Sequence, residues 1–291
     1  MQMRAHIETI ERKRESAVLI LAATNLEMDI VPALYDALRE RGNTGRLDVV
    51  LYCRGGIVNA ARRIALLLHE FSSRICFIVP LYCESSGTIL ALAGHEIIAG
   101  PTASFSPVDP HLQADHQQKS GGQPDAISVE DVRVFSRMAQ DWFGMPEAEA
   151  QSQALSVMCA NIFPTALTSF YRTTHESHGV CRELLARSMG DQPEDLRSKI
   201  ADKLLSGYHS HAFSLTYQDL GALGLPVQRD ARIENIAWEI AGELRQSLGG
   251  GVRRSEDDAW VNTIIATRTA TRCQRYHPGP FAPRWEINET E

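Results

Sequence analysis

The chain has 291 residues, of which 44% are hydrophobic and 22% are charged, and its formal net charge is −7. This length is enough to bury the core of one large domain or of two modest ones. The negative balance disfavours a broad electrostatic attraction to nucleic acid or to an anionic membrane.

The N-terminal segment MQMRAHIETIERKRE is charged and lacks the apolar stretch of a signal peptide. No window of the chain reaches the roughly 18 apolar residues of a membrane span. The six cysteines include no C-x-x-C pair, and several lie in apolar runs, which is typical of reduced structural thiols. We therefore expect a cytoplasmic protein with no membrane span and no nucleic-acid partner.

The first 110 residues alternate between apolar runs of strand length and segments with helical spacing. Alternation of this kind predicts an α/β fold, with a parallel sheet flanked by helices. A proline-punctuated loop ends the succession at 100–110. The predicted strands are 16–23, 46–53, 74–83 and a short run from residue 96, and the predicted helices are 30–42, 55–71 and 88–95.

The second half of the chain is mainly helical in pattern. Residues 112–129 are polar and contain glycine, which predicts a surface loop. Helices are expected over 130–206, with breaks near 144–146, at Pro164 and near 190–193. A short helix and a final strand follow in 211–227, and residues 231–248 form one more amphipathic helix. We expect a domain over 1–230 and a helical C-terminal extension with a tail over 231–291.

Ser85 is a candidate nucleophile, because the sequence CESSGTIL places it between a predicted strand and a predicted helix. A serine hydroxyl is a useful nucleophile when a base lies within reach and backbone amides await the oxyanion. The unpaired N–H groups at the start of a helix meet the second condition in part. Ser86 is placed to donate such an amide, and Gly87 leaves room for a substrate.

A second pair of amides is expected from Gly55 and Gly56, which follow the preceding strand in CRGGI. The carboxyl ends of parallel strands meet at one edge of a sheet, where ligands bind in open α/β folds. The turns at 55–56 and at 85–87 should therefore converge. Each feature alone is also what an ordinary N-cap or turn shows, so the residues by themselves leave both interpretations open.

Two blocks, DVVLYCRGGIVNAARRIALLLHEF and ESSGTILALAGHEIIAGPTASFSPVDPHL, resemble the Clp protease/crotonase superfamily. The likeness is closest to the serine dehydrogenase proteinase family, and signal peptide peptidase A is a further relative. A third block, KIADKLLSGYHSHAFSLTYQDLGALGLPV, is similar to the closing segment of that family. The resemblance covers about 16–227 and implies a Clp/crotonase-like core and a serine peptidase activity.

The resemblance also implies a set of site residues. Ser85 falls on the nucleophile of a Ser-x-Gly motif, and Gly55, Gly56 and Ser86 fall on the oxyanion-hole positions. Asp109 and His211 complete a Ser–Asp–His triad in the order of the family that this chain most resembles.

In Clp-type proteases the histidine stands near position 109 and the aspartate near position 211, so the order in this chain is exchanged. The identity of the general base therefore remains open between several residues. In a working triad the imidazole lies between the hydroxyl and the carboxylate, so the loops must bring His211 to Ser85 or another base must serve. Lys119 is the alternative, because relatives of signal peptide peptidase A use a serine–lysine dyad and a buried lysine loses its proton readily. His111 and His116 lie near Asp109 and are further candidates.

The expected function is hydrolysis of peptide bonds in a peptide or protein substrate, either without ATP or with an ATPase partner. No cofactor and no metal is expected: the pairs His209/His211 and His175/His178 could be ligands, but no matching Cys or carboxylate cluster stands at a recognised zinc spacing. The superfamily commonly forms rings or stacks, so we expect a homo-oligomer with its interface in 130–206. Two other functions remain: a crotonase-type enzyme that stabilises acyl-CoA enolates, and an inactive scaffold with this fold.

Overall fold

The computed structural model describes residues 2–108, 129–161, 164–208, 210, 212–249, 260–276 and 284–289. These residues form ten helices and ten strands. The helices are α1 (Gln2–Arg14), α2 (Ile30–Arg41), α3 (Val58–Phe71), α4 (Ser86–Ala91), α5 (Val129–Phe143), α6 (Glu147–Asn161), α7 (Pro164–Ser188), α8 (Glu194–Ser206), α9 (Tyr217–Ala222) and α10 (Ala231–Ser247). The strands are β1 (Ala17–Ala23), β2 (Thr44–Cys53), β3 (Ser72–Val79), β4 (Tyr82–Cys83), β5 (Glu96–Ala99), β6 (Ser104–Phe105), β7 (Val227–Gln228), β8 (Trp260–Ala266), β9 (Ala270–Tyr276) and β10 (Arg284–Glu289).

A mixed sheet runs through the molecule in the strand order β10-β9-β8-β1-β2-β3-β5-β7. Strands β1, β2, β3, β5 and β7 are parallel to one another. Strand β1 is buried along its whole length, as expected of a parallel strand that is covered on both faces. The α/β fold class predicted from the alternating pattern is therefore confirmed.

Helices cover both faces of the sheet. Alternate side chains of each strand point to opposite faces of the sheet. On one face, Leu19 and Leu21 of β1 share a core with α2, α3, α4, α7 and α8. On the other face, Val18 and Ile20 share a core with α1 and α10. The two hydrophobic cores meet at the sheet. The helices expected over 130–206 are confirmed as α5 to α8, with breaks where glycine and proline predicted them.

The predicted strand over 74–83 is divided in two. Strand β3 ends at Val79, and Pro80, which has no backbone N–H, follows it. The chain resumes as β4, which pairs with the end of β2 and with β6 rather than with β5. This change of partner carries the chain to the carboxyl edge of the sheet, directly before Ser85.

The C-terminal part contains the expected helix and, after it, three strands that the sequence pattern did not indicate. Helix α10 is present and shares a core with α1, but β8 pairs antiparallel with β1 and extends the sheet. Strands β9 and β10 continue it. Buried Arg272 and Gln274 interrupt the apolar pattern of β9, and they bond to Glu40 and Asp29 of the α2 region. Because these buried polar residues have partners far away in sequence, the alternation of apolar and polar residues does not predict this strand.

Candidate active site

The turns after β2 and β4 meet at the carboxyl edge of the sheet, as predicted. Cys53 and Cys83 are register partners in adjacent parallel strands, and Glu84 N–H donates to the Cys53 carbonyl at 3.0 Å. A Cβ atom built at Gly55 would lie 3.1 Å from Ser85 Cβ and 3.5 Å from Ser85 Oγ. The Gly55 backbone therefore lies directly beside the Ser85 side chain.

Ser85 has a backbone conformation that L-residues rarely adopt. Its φ is 52° and its ψ is −119°, and it precedes the first residue of α4. Among the described residues that are not glycine, Glu15 is the only other with a positive φ. A strained residue of this kind persists only where its surroundings hold it, and such strain is concentrated at functional turns. A sharp turn from strand to helix is also the setting of a serine nucleophile in α/β hydrolases.

Ser106 holds the strained turn in place. The N–H of Ser85 donates to the Oγ of Ser106 at 2.7 Å, and Ser106 is itself buried. Thr88 in α4 ties the same segment, since its hydroxyl lies 2.8 Å from the Cys83 carbonyl and 3.0 Å from the Ser106 carbonyl. The Ser85 hydroxyl, by contrast, forms no hydrogen bond with any residue that the structure describes. It is half-buried and faces the site.

Among the described residues, one of the three candidate oxyanion-hole N–H groups has a hydrogen-bond acceptor and the other two have none. Gly55 N–H points at Cys53 Sγ, 3.2 Å away. Within the described part of the chain, no acceptor receives the N–H of Gly56 or of Ser86. The hydroxyl of Ser86 donates to the Gly56 carbonyl at 2.6 Å, which holds the two turns together.

Gly56 has no room for a side chain. Its φ is 129°, and an added Cβ would lie 2.3 Å from the amide nitrogen and 2.4 Å from the carbonyl oxygen of Leu26. Leu26 bonds to both neighbours of Gly56: its N–H donates to the Gly55 carbonyl at 2.7 Å and its carbonyl accepts from Ile57 N–H at 2.8 Å. The loop after β1 is therefore the support on which the glycine turn rests.

Sequence reasoning did not identify Leu26, Ser106 and Thr88 as parts of this site. Ser106 lies in the SPVDP segment that carried Asp109, and Thr88 lies in the quoted SSGT run, so both were near the right place. Their roles depend on bonds across 18 to 21 residues of chain. A single sequence gives no signal for such pairings.

The residues predicted as acid and base lie outside the described residues. These are Asp109, His211, the alternative base Lys119, and His111 and His116. Ser106, which lies shortly before the first of these gaps, accepts a hydrogen bond from Ser85 N–H. Val108 is bonded to Leu204, and Phe105 and Leu215 exchange both backbone hydrogen bonds, at 2.9 Å and 2.8 Å.

The cysteines beside Ser85 are not set up as nucleophiles. Burial raises the pKa of the Cys53 thiol to about 12 and that of Cys83 well above its ordinary value. The thiolate is the reactive form of cysteine, so both side chains are inert at neutral pH. Of the side chains at this junction, Ser85 carries the accessible nucleophilic group.

Two features are absent from the residues that the structure describes. No group of three or more His, Cys, Asp or Glu side chains there is arranged to hold a metal ion. No helix there has the length and apolar character that crossing a membrane requires.

Several known proteins are similar to this chain. Two uncharacterized proteins of Methanocaldococcus jannaschii are 28% and 29% identical to it over 70% and 66% of its length. The matched regions span only 58% and 56% of those relatives.

Among solved structures, a mutant of the membrane-bound stomatin-specific protease 1510-N has a TM-score of 0.42 at 14% identity, covering 77% of this chain and 81% of that one. An enoyl-CoA hydratase from Polaromonas sp. JS666 has a TM-score of 0.34 at 14% identity, covering 79% and 74%. The sequence model of one family also matches, over residues 3–120. This segment holds the glycine turn and Ser85, and the family that it matches is that of the ClpP-like SDH-type serine proteinases, as the resemblance in the sequence indicated.

Proposed function

We propose that the protein is a serine peptidase that hydrolyses peptide bonds through an acyl-enzyme on Ser85. The observation that carries this proposal is the contact between the two turns. Ser85 has a positive φ directly before α4, and its side chain lies against the Gly55 backbone. A Cβ atom built at Gly55 would be 3.5 Å from Ser85 Oγ. The match of residues 3–120 to a serine proteinase family supports the same reaction.

The proposed mechanism assigns the oxyanion to two amides. Ser85 Oγ attacks the carbonyl carbon of the scissile bond, and the carbonyl oxygen gains the negative charge. The N–H groups of Gly56 and Ser86 donate to it, because both are uncommitted among the described residues, whereas Gly55 N–H is held by Cys53 Sγ. Donors fixed before the reaction stabilise this charge without reorganisation. Collapse of this intermediate breaks the C–N bond, and the amine leaves with the proton taken from Ser85. Water then hydrolyses the acyl-enzyme ester, which releases the acid and restores the Ser85 hydroxyl.

His211 takes the proton from Ser85 in this proposal, and Asp109 orients the imidazole. Support comes from the described segments that flank them. Position 109 follows Ser106 by three residues, a reach of at most about 10 Å, and Ser106 Oγ is bonded to Ser85 N–H. His211 precedes Leu215 by four residues, and Leu215 is paired with Phe105. Lys119 is the alternative base.

The proposed enzyme needs no cofactor and acts on a peptide or protein, alone or with an ATPase partner. We also propose that it works as a homo-oligomer assembled through the helices of 130–206. The support is a set of large apolar side chains on α5, α6 and α7 that are exposed in the single chain: Trp142, Phe143, Leu155, Val157 and Tyr171.

Hydrolysis of quenched-fluorescent peptides tests the proposal. Ser85→Ala should lower kcat/KM by about a thousandfold or more. Ser73→Ala changes an exposed serine of β3 and should leave the rate at the wild-type value. His211→Ala and Lys119→Ala, compared in the same assay, decide the base, since only the true base should match the loss at Ser85. A wild-type protein that cleaves no peptide, or that Ser85→Ala leaves equally active, contradicts the proposal.

A further inference from the structure

We propose that a small basic cleft beside the candidate nucleophile binds a carboxylate of the peptide substrate, either an acidic side chain or the C-terminal carboxylate. This inference rests on the proposed peptidase function and names its substrate class. The cleft has a volume of about 210 Å³ and lies at the carboxyl edge of the sheet, where Arg54, Tyr52, Tyr82 and Arg245 line it. Arg54 directly precedes Gly55, and Tyr82 lies three residues before Ser85.

The two arginines are held by aromatic rings and not by acids. The Arg54 guanidinium lies over the Tyr82 ring at 3.8 Å, and that of Arg245 lies over the Trp238 ring at 4.8 Å. Neither forms an ion pair with any acidic residue of the described chain. Stacking restrains a guanidinium through its face and leaves its edge donors free. These donors match the two oxygens of a carboxylate.

Tyr52 adds a neutral donor to the same cleft. Its side chain is largely buried, and the residue is only 7% exposed. Burial raises the pKa of Tyr52, and this effect outweighs the opposite influence of Arg54 and Arg245. The hydroxyl therefore stays protonated at neutral pH, and it has no hydrogen-bond partner among the described residues. A carboxylate in the cleft would accept a hydrogen bond from this hydroxyl.

Among the residues that the structure describes, no carboxylate lines the cleft. Of the causes that shift the pKa of Tyr52, the charge of Glu84 is the smallest. The Glu84 carboxylate accepts from the Ser104 hydroxyl at 3.4 Å. The chain as a whole carries a net charge of −7. The positive charge of this cleft is therefore a local feature and not part of a generally basic surface.

The size of the cleft limits what it can hold. Pockets for drug-sized ligands and cofactors have volumes of about 300–1,000 Å³, and this cleft is smaller. It suits one acidic side chain or one chain terminus. Arg54 directly precedes Gly55 in the chain, so the cleft lies next to the glycine turn. A peptide whose scissile carbonyl lies at Ser85 would therefore place the bound carboxylate within a few residues of the cleaved bond.

Paired peptide substrates test this inference. One quenched-fluorescent sequence is made with a single Glu at each position in turn, with Gln at the same position, and with a free or amidated C-terminus. At the position that meets the cleft, kcat/KM for the Glu peptide should exceed that for the Gln peptide by about tenfold to a hundredfold, as expected for charge-assisted hydrogen bonds. A preference for the free C-terminus instead identifies the terminal carboxylate as the ligand.

Variants of the arginines locate the effect. Arg245→Gln should reduce the Glu/Gln ratio towards 1, and Arg245→Lys should restore part of it, because the charge returns without the planar fork. Arg232→Gln, an exposed arginine near the start of the same helix, should keep the wild-type ratio. A ratio near 1 at every position, with no preference for a free terminus, overturns the inference even if the protein is an active peptidase.

Binding to Ser85→Ala protein separates this inference from the proposed reaction. Fluorescence anisotropy compares the labelled Glu and Gln peptides on Ser85→Ala and on Ser85→Ala/Arg245→Gln. Tighter binding of the Glu peptide that is lost in the double variant supports the carboxylate site, even where the wild-type protein cleaves nothing. Equal binding of the two peptides, including no measurable binding of either, contradicts it.

Discussion

At the scale of single residues, the site depends on one close approach of backbone to backbone. Leu26 bonds on both sides of Gly56, so that the glycine turn after β2 is pinned to the loop after β1. This contact fixes the position of the Gly56 N–H, which has no acceptor in the described ranges of the chain. Donors that are fixed in advance are what stabilisation of an oxyanion requires.

Gly56→Ala should therefore damage both stability and activity. The added Cβ would lie 2.3 Å from the Leu26 amide nitrogen, and the φ of 129° is strained for alanine. We expect a loss of about 3 kcal/mol in the free energy of unfolding, from backbone strain and overpacking together. Urea denaturation measures it.

Gly179→Ala is the matched control, because Gly179 is exposed in α7 and nothing lies within 4 Å of a Cβ built there. The same substitution should stabilise the protein by up to about 1 kcal/mol, since alanine favours a helix. Equal effects of the two changes would show that the contact with Leu26 does not constrain the turn.

The residues of the site differ in how far the sequence could predict them. The positions of Ser85, Ser86, Gly55 and Gly56 at two turns were predictable, because a strand followed by a turn and a helix is a local pattern. Their proposed roles came from the family resemblance. The choice of Gly56 over Gly55 as the free donor was not predictable. It depends on where the Cys53 thiol points, and that direction is set by tertiary packing.

At the scale of elements, β8 joins the C-terminal part of the chain to the central sheet by pairing with β1. The parallel strands and the helices between them follow from apolar runs and their spacing. Strand β8 pairs with β1, which is more than 230 residues away in sequence, and no local pattern encodes such a partner. Ile265 of β8 is fully buried against the residues of the main core.

Ile265→Ala should lower the free energy of unfolding by about 2–5 kcal/mol, as for other buried isoleucines. Ile287→Ala makes the same change in β10, where the side chain is 59% exposed, and should alter stability by less than about 0.5 kcal/mol. Denaturant unfolding of both variants checks this. If Ile265→Ala is as mild as Ile287→Ala, β8 does not belong to the core.

A pair of histidines joins α3 to the turn before β5. His69 Nε2 bonds the Ala93 carbonyl at 3.0 Å, and His95 Nδ1 accepts from Ile75 N–H at 3.1 Å. Burial lowers the pKa of both His69 and His95 below the ordinary value of 6.5. In the unfolded chain these rings take up protons near pH 6.5, while in the fold they resist protonation. Stability should therefore be lost as the pH falls below about 6.5.

The free energy of unfolding is thus expected to be lower at pH 5.5 than at pH 7.5, and His69→Gln should reduce this difference. His175→Gln, at an exposed position of α7, should keep the wild-type pH dependence. Urea titrations at the two pH values measure the effect. A His69→Gln protein with the full wild-type difference would contradict the assignment to the buried pair.

At the scale of the whole molecule, the proposed homo-oligomer interface depends on exposed aromatic residues at the end of α5. Trp142 is 77% exposed and Phe143 is 69% exposed. Exposed apolar patches of this kind are typical of protein–protein interfaces. The paired change Trp142→Ser/Phe143→Ser should lower the mass of the assembly in analytical ultracentrifugation.

Met28→Ser removes another exposed apolar side chain, two residues before α2, and should leave the mass of the assembly unchanged. A wild-type protein that sediments as a single chain, or an assembly that the aromatic pair does not affect, would contradict the proposed interface. The sequence predicted helices in this region, but exposure of a particular face follows only from how α5, α6 and α7 pack.

The central claim for the molecule is that its sheet, its helices and its two turns together make Ser85 a nucleophile. Labelling with a fluorophosphonate, followed by mass mapping of the modified peptide, tests it most directly, because this reagent bonds covalently to an activated serine. We predict one adduct, on Ser85, that is absent from Ser85→Ala protein. No adduct, or an adduct on another residue that persists in Ser85→Ala, would contradict the account.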